Sequence, residues 1–227
     1  MRIHLLWPIA QIRSKMSLAG SHLRWRLCRV RSSLHVLLLP DAPRRYLLRC
    51  AVTAVLHRDG FALRSSTPPP DICLLLQLAE GRKDVVELGT AAGWLAGALV
   101  VADPTRVVRT FDPFEHGREK YLALMPAEAR ERLHVVGRPG AATDHLPLDM
   151  LFIDGSHTKS DVVDEFEAWR PYLREGGVVA FHDYAEPNWP GVAEAVVELG
   201  LAGQQRRGMF LWINERDPAK GGLESRS

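Results

Sequence analysis

The fold is decided by the stretch Val85-Val86-Glu87-Leu88-Gly89-Thr90-Ala91-Ala92-Gly93-Trp94. A short β-rich run leads straight into two glycines four positions apart, and an apolar segment continues to Ala102. That order reads as a buried strand, a tight turn and a helix. Gly89 and Gly93 let the backbone turn sharply and come close to a ligand where the free N–H groups of a helix start point outward. A tight turn with no ligand has the same requirement, so the glycines alone do not establish a site.

Working outward, the same rhythm repeats. Val107–Phe111, Met150–Ile153 and Val178–Phe181 are further short β-rich runs, and helical segments are expected over 91–102, 117–132 and 159–170. In the last of these, Val162, Phe166 and Trp169 share one stripe, with Asp161, Asp164, Glu165 and Glu167 expected towards water. Alternating strands and helices predict an α/β fold whose mostly parallel sheet is covered on both faces. Phe210-Leu211-Trp212-Ile213 reads as an edge strand, and beyond Asn214 the tail (215–227) is polar and expected to be disordered.

Upstream the character changes. Ser65-Ser66-Thr67-Pro68-Pro69-Pro70 is a break, since consecutive prolines disrupt both helices and central strands. It separates a helical N-terminal extension (1–70) from the α/β domain (71–214). In the extension Asp41 and Pro43 open a helix along which Tyr46, Leu47, Cys50, Val52 and Leu56 recur at helical spacing. A second helix lies within 9–39, and Asp71 is placed as the cap of a short helix running to Ala79. Charge is divided unevenly: residues 1–70 carry +10 and the remainder −8, for a net +2. A basic segment of this kind suits a docking surface, such as a homodimer contact. It lacks regularly interleaved aromatics, and nucleic acid is not expected as a partner.

Composition narrows the class further. Apolar residues make up 46% and charged residues 25% of the 227, enough for a large core and too apolar for a disordered chain. Cys28, Cys50 and Cys73 have no CxxC spacing, and read as reduced thiols with no structural zinc. The longest apolar run, 91–102, is shorter than the roughly 18 residues that span a bilayer. No transmembrane segment or secretory signal is expected, and a cytoplasmic location follows.

Polar residues directly after parallel strands mark the ligand crevice of such sheets. Asp112 follows the second strand 23 residues after Gly89, the usual position of an acid that holds a ribose diol. An adenosine-containing cofactor is therefore expected. The chain lacks GxGxxG and GxxxxGK[ST], which argues against pyrophosphate and triphosphate ligands. Asp154, in Phe152-Ile153-Asp154-Gly155-Ser156-His157, and His182-Asp183-Tyr184 each end a strand, and the two strands are expected to be adjacent. Two carboxylates and two imidazoles in one cleft can hold a divalent cation and also supply a base.

Together, VELGTAAG (86–93), FIDGSH (152–157), FEAWRPYL (166–173), REGGVVAFHDY (174–184) and PGV (190–192) resemble the class I S-adenosylmethionine-dependent methyltransferases. The subgroup resembled contains small-molecule O-methyltransferases of the sugar and macrolide type. The resemblance covers about residues 82–200 and implies a doubly wound, Rossmann-like, mostly parallel seven-stranded sheet. It also implies that Glu87, Gly89, Thr90 and Gly93 surround the methionine end of the cofactor, with Asp112 on the ribose and Asp154 beside it. Asp154, His182 and Asp183 fall at the family's metal positions, with Mg2+ or Mn2+ as the expected ion, and His157 matches its general base. His182 stands where an acid is usual, and imidazole suits manganese, iron or zinc better than magnesium. The implied acceptor is a hydroxylated small molecule. Two alternatives stay open: a metal-independent enzyme with His157 or His182 as base, and modification of RNA or protein through the basic segment.

Overall fold

The computed structural model describes residues 35–141 and 146–215. Most of the expected 9–39 helix and nearly all of the tail lie outside the described residues. A 3-10 turn (His35–Leu38) leads into helices α1 (Asp41–Leu56), α2 (Gly60–Ser65) and α3 (Pro69–Leu78). Then follow β1 (Asp84–Leu88), α4 (Trp94–Ala102), β2 (Val107–Phe111), α5 (Glu119–Leu122), α6 (Ala127–Arg130) and β3 (Leu133–Val136). The chain continues through β4 (Leu148–Ile153), α7 (Lys159–Trp169), β5 (Leu173–Phe181), α8 (Pro190–Glu198), β6 (Gln204–Arg206) and β7 (Met209–Ile213).

These seven strands form one sheet in the order β3-β2-β1-β4-β5-β7-β6. The first five are parallel, and β7 is antiparallel to both neighbours. Leaving β1, the chain winds out to β2 and β3 and then returns to lay β4 on the other side of β1. A crevice therefore opens beyond the carboxyl ends of β1 and β4, where the direction of winding reverses. Two apolar layers cover the sheet. On one face Val85, Met150, Phe152 and Ala180 pack with α1, α3 and α4. On the other, Val86, Leu151, Val179 and Phe181 pack with α7 and α8.

Several expectations are corrected. Phe210–Ile213 belongs to β7, which lies inside the sheet; the edge is β6, whose side chains are all exposed. The expected 117–132 helix is two short helices, because Pro126 cannot continue α5 and instead precedes α6. Pro69 and Pro70 do enter a helix, at the first turn of α3, where a missing N–H costs nothing. Asp71 therefore sits inside α3 and does not cap it. In α1, Tyr46, Leu47, Cys50 and Ala54 face the core, whereas Val52 and Leu56 are exposed.

The N-terminal helices are fastened to the sheet layer. A methyl on Gly97 of α4 would lie 2.2 Å from the Tyr46 hydroxyl, so α1 and α4 meet with only a hydrogen between them. Tyr46 Oη donates to the Gly93 carbonyl at 3.3 Å. Asp59 accepts from the Ala62 N–H at 3.0 Å and from Tyr121 Oη at 2.7 Å, with Lys120 Nζ also 2.7 Å away. Among the described residues no helix is long and apolar enough to cross a membrane.

Candidate active site

The crevice holds a cavity of about 810 Å³ lined by the loops after β1, β2, β3, β4 and β5. Gly89 has φ +97°, and a methyl there would lie 2.2 Å from the Asp154 carbonyl oxygen. The ends of β1 and β4 are thus too close for any side chain. Gly93 has φ +75° and directly precedes α4, and a methyl there would meet Leu122 at 2.8 Å. Ala91, between them, is held at φ +44° although it is not glycine, and its N–H donates to Asp112 Oδ2 at 2.9 Å. The Phe114 N–H donates to Oδ1 at the same distance. Asp112 therefore ties the loop after β1 to the loop after β2. His116 and Arg118 approach Oδ1 at 3.7 and 3.9 Å.

Glu87 and Thr90 lie deeper. Glu87 is 1% exposed and accepts from Thr110 Oγ1, which also meets Thr90 Oγ1 at 2.6 Å. Burial pushes the Glu87 carboxyl up to about 8, opposed by the Thr110 hydrogen bond. Thr90 lines the cavity, but its hydroxyl is committed to this buried pair.

At the ends of β4 and β5 the four expected polar residues converge. Ile153 pairs with Phe181, which sets Asp154 and His182 side by side. His182 Nδ1 is 3.0 Å from Asp154 Oδ1 and 3.2 Å from Asp183 Oδ1, yet makes no aligned hydrogen bond. Burial works against protonation of His182, but Asp154, with Asp183 and Asp71, reverses this and raises it to about 12. Asp183 is held at φ +54°. Burial would raise its carboxyl, but the His157 hydrogen bond and the His182 ring beside it outweigh that and hold it well below the usual range.

His157 Nε2 lies 3.0 Å from Asp183 Oδ2 and 3.8 Å from Asp154 Oδ1. Its ring stacks on Trp189, with centroids 4.4 Å apart. Just beyond it, Thr158 caps α7 by accepting from the Asp161 N–H. Gly191 at the start of α8 sits so near that a methyl would be 2.5 Å from the His157 carbonyl oxygen.

One donor atom each from Asp154, His182 and Asp183 can be chosen with all three within 4.8 Å of one another. An unaligned buried nitrogen between two carboxylates fits a divalent cation, and the mixed oxygen and imidazole donors suit manganese, iron or zinc as well as magnesium.

Three neighbours of the site were not anticipated. Asp71 of α3 brings Oδ2 to 3.7 Å from His182 Nε2. No local pattern in sequence announces a contact between residues so far apart. Trp189 is a lone aromatic in a loop. Glu165, expected towards water, is 7% exposed, because Val162, Glu165, Phe166 and Trp169 form the inward stripe of α7. Its position three residues after Val162 and four before Trp169 is the signal that was available.

Residues 86–184 match a protein family described as a methyltransferase domain. Over this stretch, a little under half of its length, the chain is similar to methyltransferase domains. Its fold is similar to that of CalS11, a TDP-rhamnose 3'-O-methyltransferase of calicheamicin biosynthesis, with TM-score 0.53 and 18% identity over 82% of this chain and 92% of that one. It is also similar to the O-methyltransferase TomG from Streptomyces achromogenes, solved in complex with S-adenosylmethionine. There the TM-score is 0.58 and the identity 21%, over 78% of this chain and 91% of the other. A 59-residue stretch is 41% identical to the uncharacterised protein R132 of Acanthamoeba polyphaga mimivirus. That stretch is 25% of this chain and spans 27% of the viral protein. The domain match begins in β1 and ends just past Asp183, so it takes in the crevice residues of β1, β2, β4 and β5 but not Asp71 or Trp189.

Proposed function

We propose that this chain transfers the methyl group of S-adenosylmethionine to a hydroxyl of a small molecule, a sugar, glycoside or polyketide-like compound, with help from a divalent cation. The observation that carries the reading is the convergence of Asp154, His157, His182 and Asp183 beside the Gly89 turn. Bound S-adenosylmethionine supplies an electrophilic methyl on a sulfonium centre. Asp112 is assigned to the ribose hydroxyls. Gly89 and Gly93 admit the methionine end over bare backbone, and a positive charge brought beside the buried Glu87 would favour release of its proton. Asp154, His182 and Asp183 would hold the cation, whose Lewis acidity lowers the pKa of an aliphatic hydroxyl.

The rest of the work falls to this chain's own side chains. His157, fixed between Trp189 and Asp183, takes the hydroxyl proton at Nδ1, while its Nε2–H donates to Asp183 Oδ2 at 3.0 Å and that carboxylate stabilises the resulting imidazolium. Alignment of oxygen, methyl and sulfur by the surrounding loops supplies much of the acceleration. Trp189, Phe61 and Phe114 line the cavity and are partly exposed, offering apolar surface to the acceptor.

A metal-free version has one observation in its favour: protonated His182 would itself neutralise Asp154 and Asp183. In that version His157 is the base, because His182 already holds its proton. The test is transfer of labelled methyl to a panel of hydroxylated sugars, glycolipids and polyketides, with and without chelator. Loss of turnover on chelation, restored by manganese or magnesium, supports the cation. Unchanged turnover removes it, and transfer to no hydroxyl acceptor refutes the O-methylation reading.

A further inference from the structure

Helix α1 is apolar on two sides, and the fold accounts for one of them. Tyr46, Leu47, Cys50 and Ala54 enter the core. On the other side Leu48, Val52, Val55 and Leu56 are 45%, 58%, 63% and 76% exposed. Their spacing of three and four places them in one stripe along the helix. A helix that is apolar all round is ordinarily buried, yet this stripe lies in water. Leu37 and Leu38, in the turn directly before α1, are exposed as well. Half of the twelve exposed large apolar side chains among the described residues thus fall within residues 37–56. Three of the others, Phe61, Phe114 and Trp189, line the crevice cavity. An exposed apolar concentration of this kind marks an interaction surface.

Charge around the stripe identifies the partner. Arg45 and Arg49 are exposed and stand three residues before Leu48 and Val52, on the same face. With Arg132 and one acid, Glu128, they border a hollow of about 360 Å³. Asp41, the acid of this helix, is already paired with Arg44 and Arg45 at its start. His57 and Arg58, both exposed, follow its last turn. The 34 residues before His35, outside the described residues, add seven Arg or Lys and no Asp or Glu. Two copies joined through this face would bring two basic surfaces together, and a nucleic acid would have no use for the apolar stripe. A bilayer with anionic headgroups matches both features: the stripe enters its surface and the arginines meet its phosphates. We propose that the outer face of α1 docks this protein on an anionic membrane surface.

The test is flotation of the full chain with vesicles of phosphatidylcholine alone, and with about a third of it replaced by phosphatidylserine. The wild type should float with the anionic vesicles and stay behind with the neutral ones. Salt at about 1 M should weaken the binding, because it screens charges beyond roughly 3 Å. One basic residue near such a surface is worth about fivefold in partitioning, so Arg45→Glu, a change of two charges, should reduce it about 25-fold. Leu48→Ser, Val52→Ser, Val55→Ser and Leu56→Ser combined should reduce it by about 100-fold or more. Both variants should remain folded, since these side chains lie outside the core; if the serine variant does not fold, Arg45→Glu decides alone. No flotation of the wild type, equal binding to neutral vesicles, or undiminished binding in either folded variant overturns the proposal. Self-association abolished by the serine changes, without flotation, would assign the face to a second copy instead. An RNA gel shift abolished by Arg45→Glu, without flotation, would assign it to nucleic acid.

Discussion

Asp112 does two jobs in this account, and substituting it separates them. In the free protein its carboxylate accepts from the N–H groups of Ala91 and Phe114, each at 2.9 Å, and the residue is 7% exposed. Hydrogen bonds to a charged group contribute about 1.5–3 kcal/mol each. Asp112→Asn keeps one acceptor oxygen and turns an amide N–H donor towards the other backbone N–H. It should therefore cost about 1.5–3 kcal/mol in urea unfolding without ligand. Asp112→Ala loses both bonds and should cost about twice that. Affinity for S-adenosylhomocysteine should also fall by about 10–100-fold, since each tenfold step is about 1.4 kcal/mol. Loosened loops alone could weaken binding, so the decisive assay is a cycle with a cofactor analogue lacking both ribose hydroxyls. The wild type should lose affinity when the hydroxyls are removed, and Asp112→Asn should lose little more. If both proteins lose the same factor, Asp112 is only a loop clamp and the ribose is held elsewhere.

Three further outcomes are expected. Gly89→Ala forces a methyl to within 2.2 Å of the Asp154 carbonyl in a left-handed conformation, and should cost several kcal/mol, of the order seen for overpacked or strained sites, in thermal unfolding. His157→Ala should lower turnover by about 10²–10⁴ while leaving S-adenosylhomocysteine affinity nearly unchanged; a loss of binding instead of rate would remove it as the base. Ligand-free stability should fall as pH rises from about 5 to 8. Glu87 and Glu165, raised from 4.5 to about 8 and about 7, keep their protons in the folded protein after the unfolded chain has released them. His182, raised from 6.5 to about 12, acts in the same sense above pH 6.5. Glu87→Gln should flatten the profile, and an unaltered slope would show that Glu87 titrates normally.

How much of this was readable in the sequence follows from how each element is packed. The strands β1, β2, β4 and the end of β5 lie inside the sheet with helices on both faces, so their sequences are nearly continuous β-branched and aromatic runs. Leu133-His134-Val135-Val136 is short, pairs only with β2 and is mostly half-exposed, so no apolar run marks it. Gln204-Gln205-Arg206 joins the sheet through its backbone alone, with every side chain in water, and composition cannot reveal such a strand. The candidate residues Gly89, Gly93, Asp112, Asp154, His182 and Asp183 were legible because each lies within two positions of a strand end or directly before a helix, and His157 because it lies in the short loop between β4 and α7. Trp189 reaches the same cleft and Asp71 approaches His182 behind it from elements whose placement is tertiary, and neither carries a local motif. Glu165 was misread because a charged residue was assigned to water before its place on the helix stripe was weighed.

The central claim is that the crevice between β1 and β4 binds the methyl donor, and titration of the full wild-type chain with S-adenosylhomocysteine tests it most directly. The account predicts one site per chain, with a dissociation constant within the range of about 1 μM–1 mM typical of enzyme ligands. Absence of binding at about 1 mM by a folded protein would contradict it.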